Sequence, residues 1–183
     1  MKKTKTQDSL PIVRRQVKTL LTSSQAFQSL RADERRQIGD DTAKIGNYLS
    51  SVLAMREARL AGADEALILD GKGRLLEGAS SNVFAITRGR LVTPAEEHGI
   101  LAGITRAHVL AAAGELGVPV ELRPLELQAA YGADELFISS SIRELLPVVA
   151  LDGRTIGTGT PGPFFRRLLD AFRVRAHGRQ PSA

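Results

Sequence analysis

The apolar positions of this chain change their period near residue 62. Ahead of it they recur at helical spacing: Leu10, Ile12, Val13, Val17, Leu20 and Leu21 fit a short amphipathic helix that Thr22-Ser23-Ser24 would end. Phe27 and Leu30 suggest another short turn. Asp33 can cap a helix from about Glu34 that gathers Ile38, Ile45, Leu49, Val52 and Leu53 on one face and stops at Gly62. The opening third therefore reads as all-helical, behind ten polar residues expected to be disordered.

Beyond Gly62 the pattern favours strands. Residues 65–70, a Gly71-Lys72-Gly73 turn and residues 74–77 read as a β-hairpin, and 82–87 turns through Arg88-Gly89-Arg90 into 91–93. A loop over 94–103 leads to a helix from near Ile104 to Gly117 that turns Val109, Leu110, Ala113 and Leu116 to a core. A strand at 118–122, a short helix at 127–131 and an apolar strand at 135–139 follow. Residues 147–151 pair through Asp152-Gly153 with 154–156. Thr160, Pro161 and Pro163 open a last helix whose stripe is Phe164, Phe165, Leu168, Leu169 and Phe172. The fold class is α+β.

Composition narrows the function. With 183 residues, 43% of them hydrophobic, the chain can bury one sizeable core. The net charge of +5 comes from the start, where Lys2, Lys3, Lys5, Arg14, Arg15 and Lys18 face Asp8 alone; the rest carries equal numbers of acids and bases. A basic arm on a balanced globule reads as a solvated tail. With 4% aromatics and no Trp there is little surface for base stacking, so no nucleic-acid role is expected. Without cysteine there is no disulfide or thiolate metal site, and His98, His108 and His177 show no ligand spacing, so no metal is expected. No apolar stretch reaches a membrane span, and no apolar signal region follows the Lys-rich start; a cytoplasmic chain without a membrane role is expected.

Four places can carry chemistry, each with an ordinary alternative. Gly99-Ile-Leu-Ala-Gly103 delivers the chain to a helix N-terminus at Ile104 and Thr105, where free N–H groups and a hydroxyl favour an anion; plain capping is the alternative. Ser139-Ser140-Ser141 could complete an anion cradle or merely end a strand. Glu77 precedes a run of small residues that lets a flat ligand approach the backbone, although a strand-end Glu is usually solvated. Lys44, on a helix, would ordinarily be a surface charge.

In order and spacing these segments resemble the class IV aminotransferases, notably the D-amino-acid and branched-chain aminotransferases. The resemblance is carried by Glu77-Gly-Ala-Ser-Ser-Asn-Val-Phe84, Gly99-Ile-Leu-Ala-Gly-Ile-Thr-Arg106, Ala133-Asp-Glu-Leu-Phe-Ile-Ser-Ser-Ser141, Arg143-Glu-Leu-Leu-Pro-Val148, and Leu151-Asp-Gly153 through Gly159-Thr-Pro-Gly-Pro163. It implies the family's C-terminal pseudo-barrel domain over residues 44–178, behind a basic helical segment at 1–43 and ahead of a disordered tail at 179–183. It implies pyridoxal 5'-phosphate as cofactor, an amino acid and a 2-oxo acid as substrates, and a homodimer. Lys44, in Lys-Ile-Gly-Asn-Tyr-Leu49, matches the lysine that binds the cofactor and carries the α-proton. Glu77 matches the carboxylate facing the pyridine nitrogen, and Leu101 the residue packing on the ring. Ile104, Thr105, Ser140 and Ser141 match the phosphate cradle.

The family also has a smaller N-terminal domain that supplies an arginine for the phosphate and a tyrosine near the substrate, and neither motif is recognisable in residues 1–43. The expected function is a transaminase, in a form cut short of the family's full length. The alternatives are an inactive pseudoenzyme or interaction module, and a lyase acting on an aminodeoxychorismate-like substrate.

Overall fold

The computed structural model describes residues 16–21 and 43–178, with 16–21 and 43–50 given through their backbone. The elements are β1 (Gln16–Leu21), α1 (Ala43–Leu60), β2 (Glu65–Leu69), β3 (Arg74–Gly78), β4 (Asn82–Thr87), β5 (Arg90–Thr93), a 3-10 turn (Glu96–His98), α2 (Ile104–Glu115), β6 (Val120–Leu122), β7 (Leu125–Glu126), α3 (Leu127–Tyr131), β8 (Glu135–Ser140), β9 (Glu144–Pro147), β10 (Ala150–Leu151), β11 (Arg154–Thr155) and α4 (Pro163–His177). They build two sheets. One runs β11-β10-β1-β2-β3-β7 and the other β6-β5-β4-β8-β9.

Alternate residues of the central strands serve different layers, as a period of two requires. Val83 and Ala85 of β4 meet Leu67, Leu69 and Leu75 between the sheets. Phe84 and Ile86 face the other way, with Phe137, onto Val109 of α2 and Phe165, Leu168 and Phe172 of α4. Phe84 and Phe137 stack at 5.0 Å, and Phe165 meets Phe137 edge-on at 5.8 Å. On the outer face of the first sheet α1 lays Ala54, Met55 and Ala58 against Ala63 and Ala66, where small side chains let the helix approach closely. The order of layers is thus α1, sheet, sheet, α2 with α4. This explains why β2, β4 and β8 read as nearly unbroken apolar runs: both faces are covered.

The hairpins, α2, α3 and α4 form where the periodicity placed them, while three expectations are corrected. Residues 16–21 are a strand rather than the end of a helix, paired in parallel with β2 from Val17 opposite Glu65 to Leu21 opposite Leu69, and with β10. A short apolar run has no period of its own strong enough to choose, and the vacancy between β2 and β10 decides it. The N-terminal segment is therefore not all-helical; residues 10–15, 27–30 and 34–42 lie outside the described residues. Second, on α1 Val52, expected on the packed face, is exposed while Ala58 is buried. Third, Pro147 ends β9, which folds back on β8 with Ile138 opposite Leu146, so that only Ala150 and Leu151 pair with β11.

Candidate active site

The two sheets are joined where β3 hands over to β4. Gly78 N–H donates to the Ser81 carbonyl at 2.6 Å, and a Cβ at residue 78 would overlap the Ser81 hydroxyl, so this tight crossing needs glycine. The β4–β8 pairing sets Asn82 opposite Ser139. The ends of β3 and β8 and the start of β4 thereby meet the N-terminus of α2, around a cleft of about 390 Å³. Glu77, Leu101, Thr105, Ser140 and Ser141 all line it, as does Ser51 of α1.

Glu77 is half-buried and accepts the Leu101 N–H through Oε2 at 2.9 Å. Burial pushes its carboxyl above the ordinary carboxylate value, and the Leu101 N–H pulls against that rise. Asn82 Nδ2 donates to the Leu101 carbonyl at 2.9 Å, so the Leu101 peptide groups are held on both sides. Gly103 lets Asn82 come close, because a Cβ there would overlap Asn82 Oδ1. The Leu101 side chain itself is 71% exposed.

The cleft is also lined by the N-terminus of α2, whose N-cap is Gly103 and has no side-chain cap among the described residues. Its first-turn N–H groups are available to an anion. Thr105 is buried and its hydroxyl donates to Ser141 Oγ at 3.5 Å across the gap to β8. Ile104 brings backbone rather than side chain to this end, its side chain being 76% exposed. The hydroxyls of Ser81 and Ser139, which also line the cleft, are buried without a hydrogen-bond partner among the described residues. Leaving a buried hydroxyl unpaired costs about 1–3 kcal/mol, which a polar ligand in the cleft would relieve.

Lys44 lies in the first turn of α1, and the position of its amine lies outside the described side chains. Seven residues separate it from Ser51, two helical turns or about 10 Å, so both stand on one face of α1. Arg106 braces the loop from behind: it is buried, with Nη2 donating to the Pro94 carbonyl at 2.9 Å and Nη1 to Glu96 Oε1 at 3.1 Å.

A second polar cluster was not singled out by the sequence. Glu65, fully buried at the head of β2, takes an ion pair from Arg143 Nη2, which also donates to Ser80 Oγ at 2.8 Å. The Arg143 N–H donates to Ser140 Oγ at 3.2 Å. Arg143 and Ser80 stand in segments that carry the family resemblance, but the only mark on Glu65 was a single charge opening the otherwise apolar run Glu65-Ala-Leu-Ile-Leu69. Among the described residues there is no group of three or more His, Asp or Glu placed to hold a metal, and no helix is long and apolar enough to cross a membrane.

Residues 5–151 match the model of the family described as amino-transferase class IV. The branched-chain-amino-acid aminotransferase of Escherichia coli K12 is 42% identical over 127 residues, 69% of this chain and 41% of that protein. Among solved structures, the branched-chain aminotransferase of the archaeon Thermoproteus uzoniensis with norvaline superposes with a TM-score of 0.74 at 30% identity, over 92% of this chain and 53% of its own. The pyridoxal-phosphate form of the Thermobaculum terrenum branched-chain enzyme gives 0.74 at 34%, over 91% and 52%. The chain spans about half the length of these relatives or less.

Proposed function

The chain belongs to the class IV aminotransferases, and from that premise we propose that it binds pyridoxal 5'-phosphate and transfers an amino group between an amino acid and a 2-oxo acid, with branched-chain amino acids as the substrate class. One observation carries the reading: a half-buried carboxyl and an uncapped helix N-terminus with two hydroxyls line one cleft. Such a pairing suits a ligand with a basic ring nitrogen and a phosphate. The unpaired hydroxyls of Ser81 and Ser139 add to the fit.

When bound, pyridoxal phosphate supplies an electron sink for the substrate's α-carbon. The chain's own residues do the rest. Glu77 keeps a proton on the ring nitrogen, and its partly desolvated setting strengthens that interaction. The α2 N–H groups at Ile104 and Thr105, with the Thr105, Ser140 and Ser141 hydroxyls, hold the phosphate. Leu101, fixed by Glu77 and Asn82, packs on the ring. Lys44 binds the cofactor covalently and moves the α-proton at its amine Nζ. A cytoplasmic homodimer belongs to the same reading, and the exposed Val52, Leu60 and Ile142 are consistent with self-association.

The test is to mix the purified chain with pyridoxal phosphate, follow the absorption band of lysine-bound cofactor, reduce with borohydride and map the labelled peptide. Label at Lys44 is the expected result. No adduct, or label scattered over Lys2, Lys3 and Lys5, would sink the proposal.

A further inference from the structure

The head of β2, the crossover from β3 to β4 and the turn after β8 are tied to one another by side chains. The Ala79 N–H donates to the Ala66 carbonyl at 2.9 Å, which sets the crossover beside Glu65. Glu65 is fully buried. Its Oε1 accepts the Ala66 N–H at 3.3 Å, and its Oε2 accepts the Ser80 hydroxyl at 3.4 Å and pairs with Arg143 Nη2. Arg143 Nη2 also donates to Ser80 Oγ at 2.8 Å. Glu65, Ser80 and Arg143 thus close a triangle, with each corner on a different segment of the chain.

The triangle leads to the proposed phosphate site through the backbone of its third corner. The Arg143 N–H donates to Ser140 Oγ at 3.2 Å. A serine hydroxyl carries one hydrogen, so a Ser140 oxygen that accepts from the protein keeps that hydrogen for an anion in the cleft. Ser141 is set in the same way, its Oγ accepting the Thr105 hydroxyl at 3.5 Å. Ser80, Ser140 and Ser141 line both the cofactor cleft and a neighbouring hollow of about 640 Å³ to which Arg143 belongs, so the triangle borders the residues that would grip the phosphate. Stability alone is a poor reason for a buried pair of charges, because the pair recovers little more than its desolvation cost and apolar side chains of similar volume often serve a fold as well. What the pair adds is direction, a fixed place for hydroxyls that must meet a ligand without rearranging.

We propose that Glu65 and Arg143 are positioning residues for the cofactor phosphate: locked to each other and to Ser80, they hold residue 143 where its N–H orients the Ser140 hydroxyl and where Ser141 stands opposite Thr105. Both act through the two serines and not on the cofactor itself. The proposal rests on the cofactor reading above and extends it to Glu65, a residue outside the sequence-derived site.

The experiment compares two aldehydes on the full chain, pyridoxal phosphate and 5'-deoxypyridoxal, which has the same ring and aldehyde but no phosphate. Uptake is read as label at Lys44 after borohydride reduction over a range of aldehyde concentrations. The double variant Glu65→Leu with Arg143→Met replaces the pair by apolar side chains, so that neither charge is left buried alone. Glu65→Gln keeps the shape of the side chain and removes only its charge; thermal melting confirms which variants fold. The double variant is expected to weaken pyridoxal phosphate uptake about tenfold and Glu65→Gln about threefold or more, with deoxypyridoxal uptake unchanged in both. Arg143→Lys is expected to keep most of the parent's preference for the phosphorylated aldehyde, because the contact to Glu65 and Ser80 runs through a single nitrogen that an ammonium can replace. A merely structural role would weaken both aldehydes alike, and that result in folded variants overturns the proposal, as do unchanged affinities for both. In either case the cofactor reading stands. A parent chain that takes up neither aldehyde at Lys44 overturns both.

Discussion

Glu77 and Leu101, 24 residues apart, are joined by one hydrogen bond from the Leu101 N–H to Glu77 Oε2 at 2.9 Å, which ties the end of β3 to the loop ahead of α2. The carboxyl is also half-buried, and burial raises its proton affinity above that of a free glutamate. Its setting thus favours the protonated form more than water does, and the Leu101 N–H works against that rise.

Glu77→Gln should therefore separate stability from binding. The folded-state value lies above the ordinary one of 4.5, so the ligand-free fold holds this proton more tightly than the unfolded chain does. Stability from this group is fully present below about pH 4.5. It is lost as pH rises through the raised value. Gln has no charge to desolvate and can still accept the Leu101 N–H. The melting temperature of Glu77→Gln relative to the parent should rise between pH 4 and pH 7, while pyridoxal phosphate affinity falls about ten- to a hundredfold with the charge-assisted contact gone. Parallel melting curves across that range would show that burial does not act on this carboxyl.

Gly103→Ala tests how the cleft is held. The new Cβ would overlap Asn82 Oδ1, and Asn82 carries the bond to the Leu101 carbonyl. Displacing Asn82 releases Leu101 on one side, which should weaken cofactor binding about tenfold, one hydrogen bond's worth, with the fold little changed. Asn82→Ala should give a similar loss, and the double variant little more, because both act on one contact. Additive losses would separate Gly103 from Asn82.

These particulars show what could be read before the structure. Glu77, Thr105 and Ser141 could be marked in advance because Glu77 precedes a run of small residues, Thr105 opens a helix and Ser141 follows an apolar strand, and the structure brings the three to one cleft. The strands themselves were legible where turn residues bracketed them. β1 was not, because Gln16–Leu21 has a strand's partners only after β2 and β10 exist, and those lie far along the chain. The pairing of Arg143 with Glu65 was hidden for the same reason: Arg143 stands in a segment that marks the family, but Glu65 is 78 residues away and nothing local joins the two. Long-range pairing is what a periodicity argument cannot supply.

Glu135 and Gly162 should behave as one unit. Glu135 Oε1 accepts the Phe164 N–H at 2.9 Å and Oε2 the Phe165 N–H at 2.7 Å, so a buried carboxylate from β8 caps α4 from across the core. A Cβ at Gly162 would overlap that carboxylate. Glu135→Ala should cost about 1–3 kcal/mol, from two lost charge-assisted bonds and the helix dipole. Gly162→Ala should cost a comparable amount by pushing the carboxylate away, and the pair should fall well short of the sum in chemical denaturation. Full additivity would mean that Gly162 matters for its own backbone alone.

Asp70 sets the acid limit of the β2–β3 hairpin. Its Oδ1 accepts the Lys72 N–H at 2.8 Å and the Arg74 N–H at 2.9 Å, and Oδ2 takes Arg74 Nε at 2.7 Å and Nη2 at 2.6 Å. Burial would raise its carboxyl, but the Arg74 N–H, the Arg74 guanidinium and the Lys72 N–H outweigh it and hold the value at about 2, from an ordinary 3.8. A lowered value means that the folded chain releases this proton more readily, so the stabilisation is present above pH 3.8 and is lost as pH falls toward 2. Asp70→Asn keeps an acceptor for the turn but not the ion pair. At neutral pH it should cost about 1 kcal/mol, a modest figure because solvent screens a surface turn. Between pH 4 and pH 2 the denaturation midpoints of parent and variant should converge, and a constant gap there would show that Asp70 draws nothing from its charge.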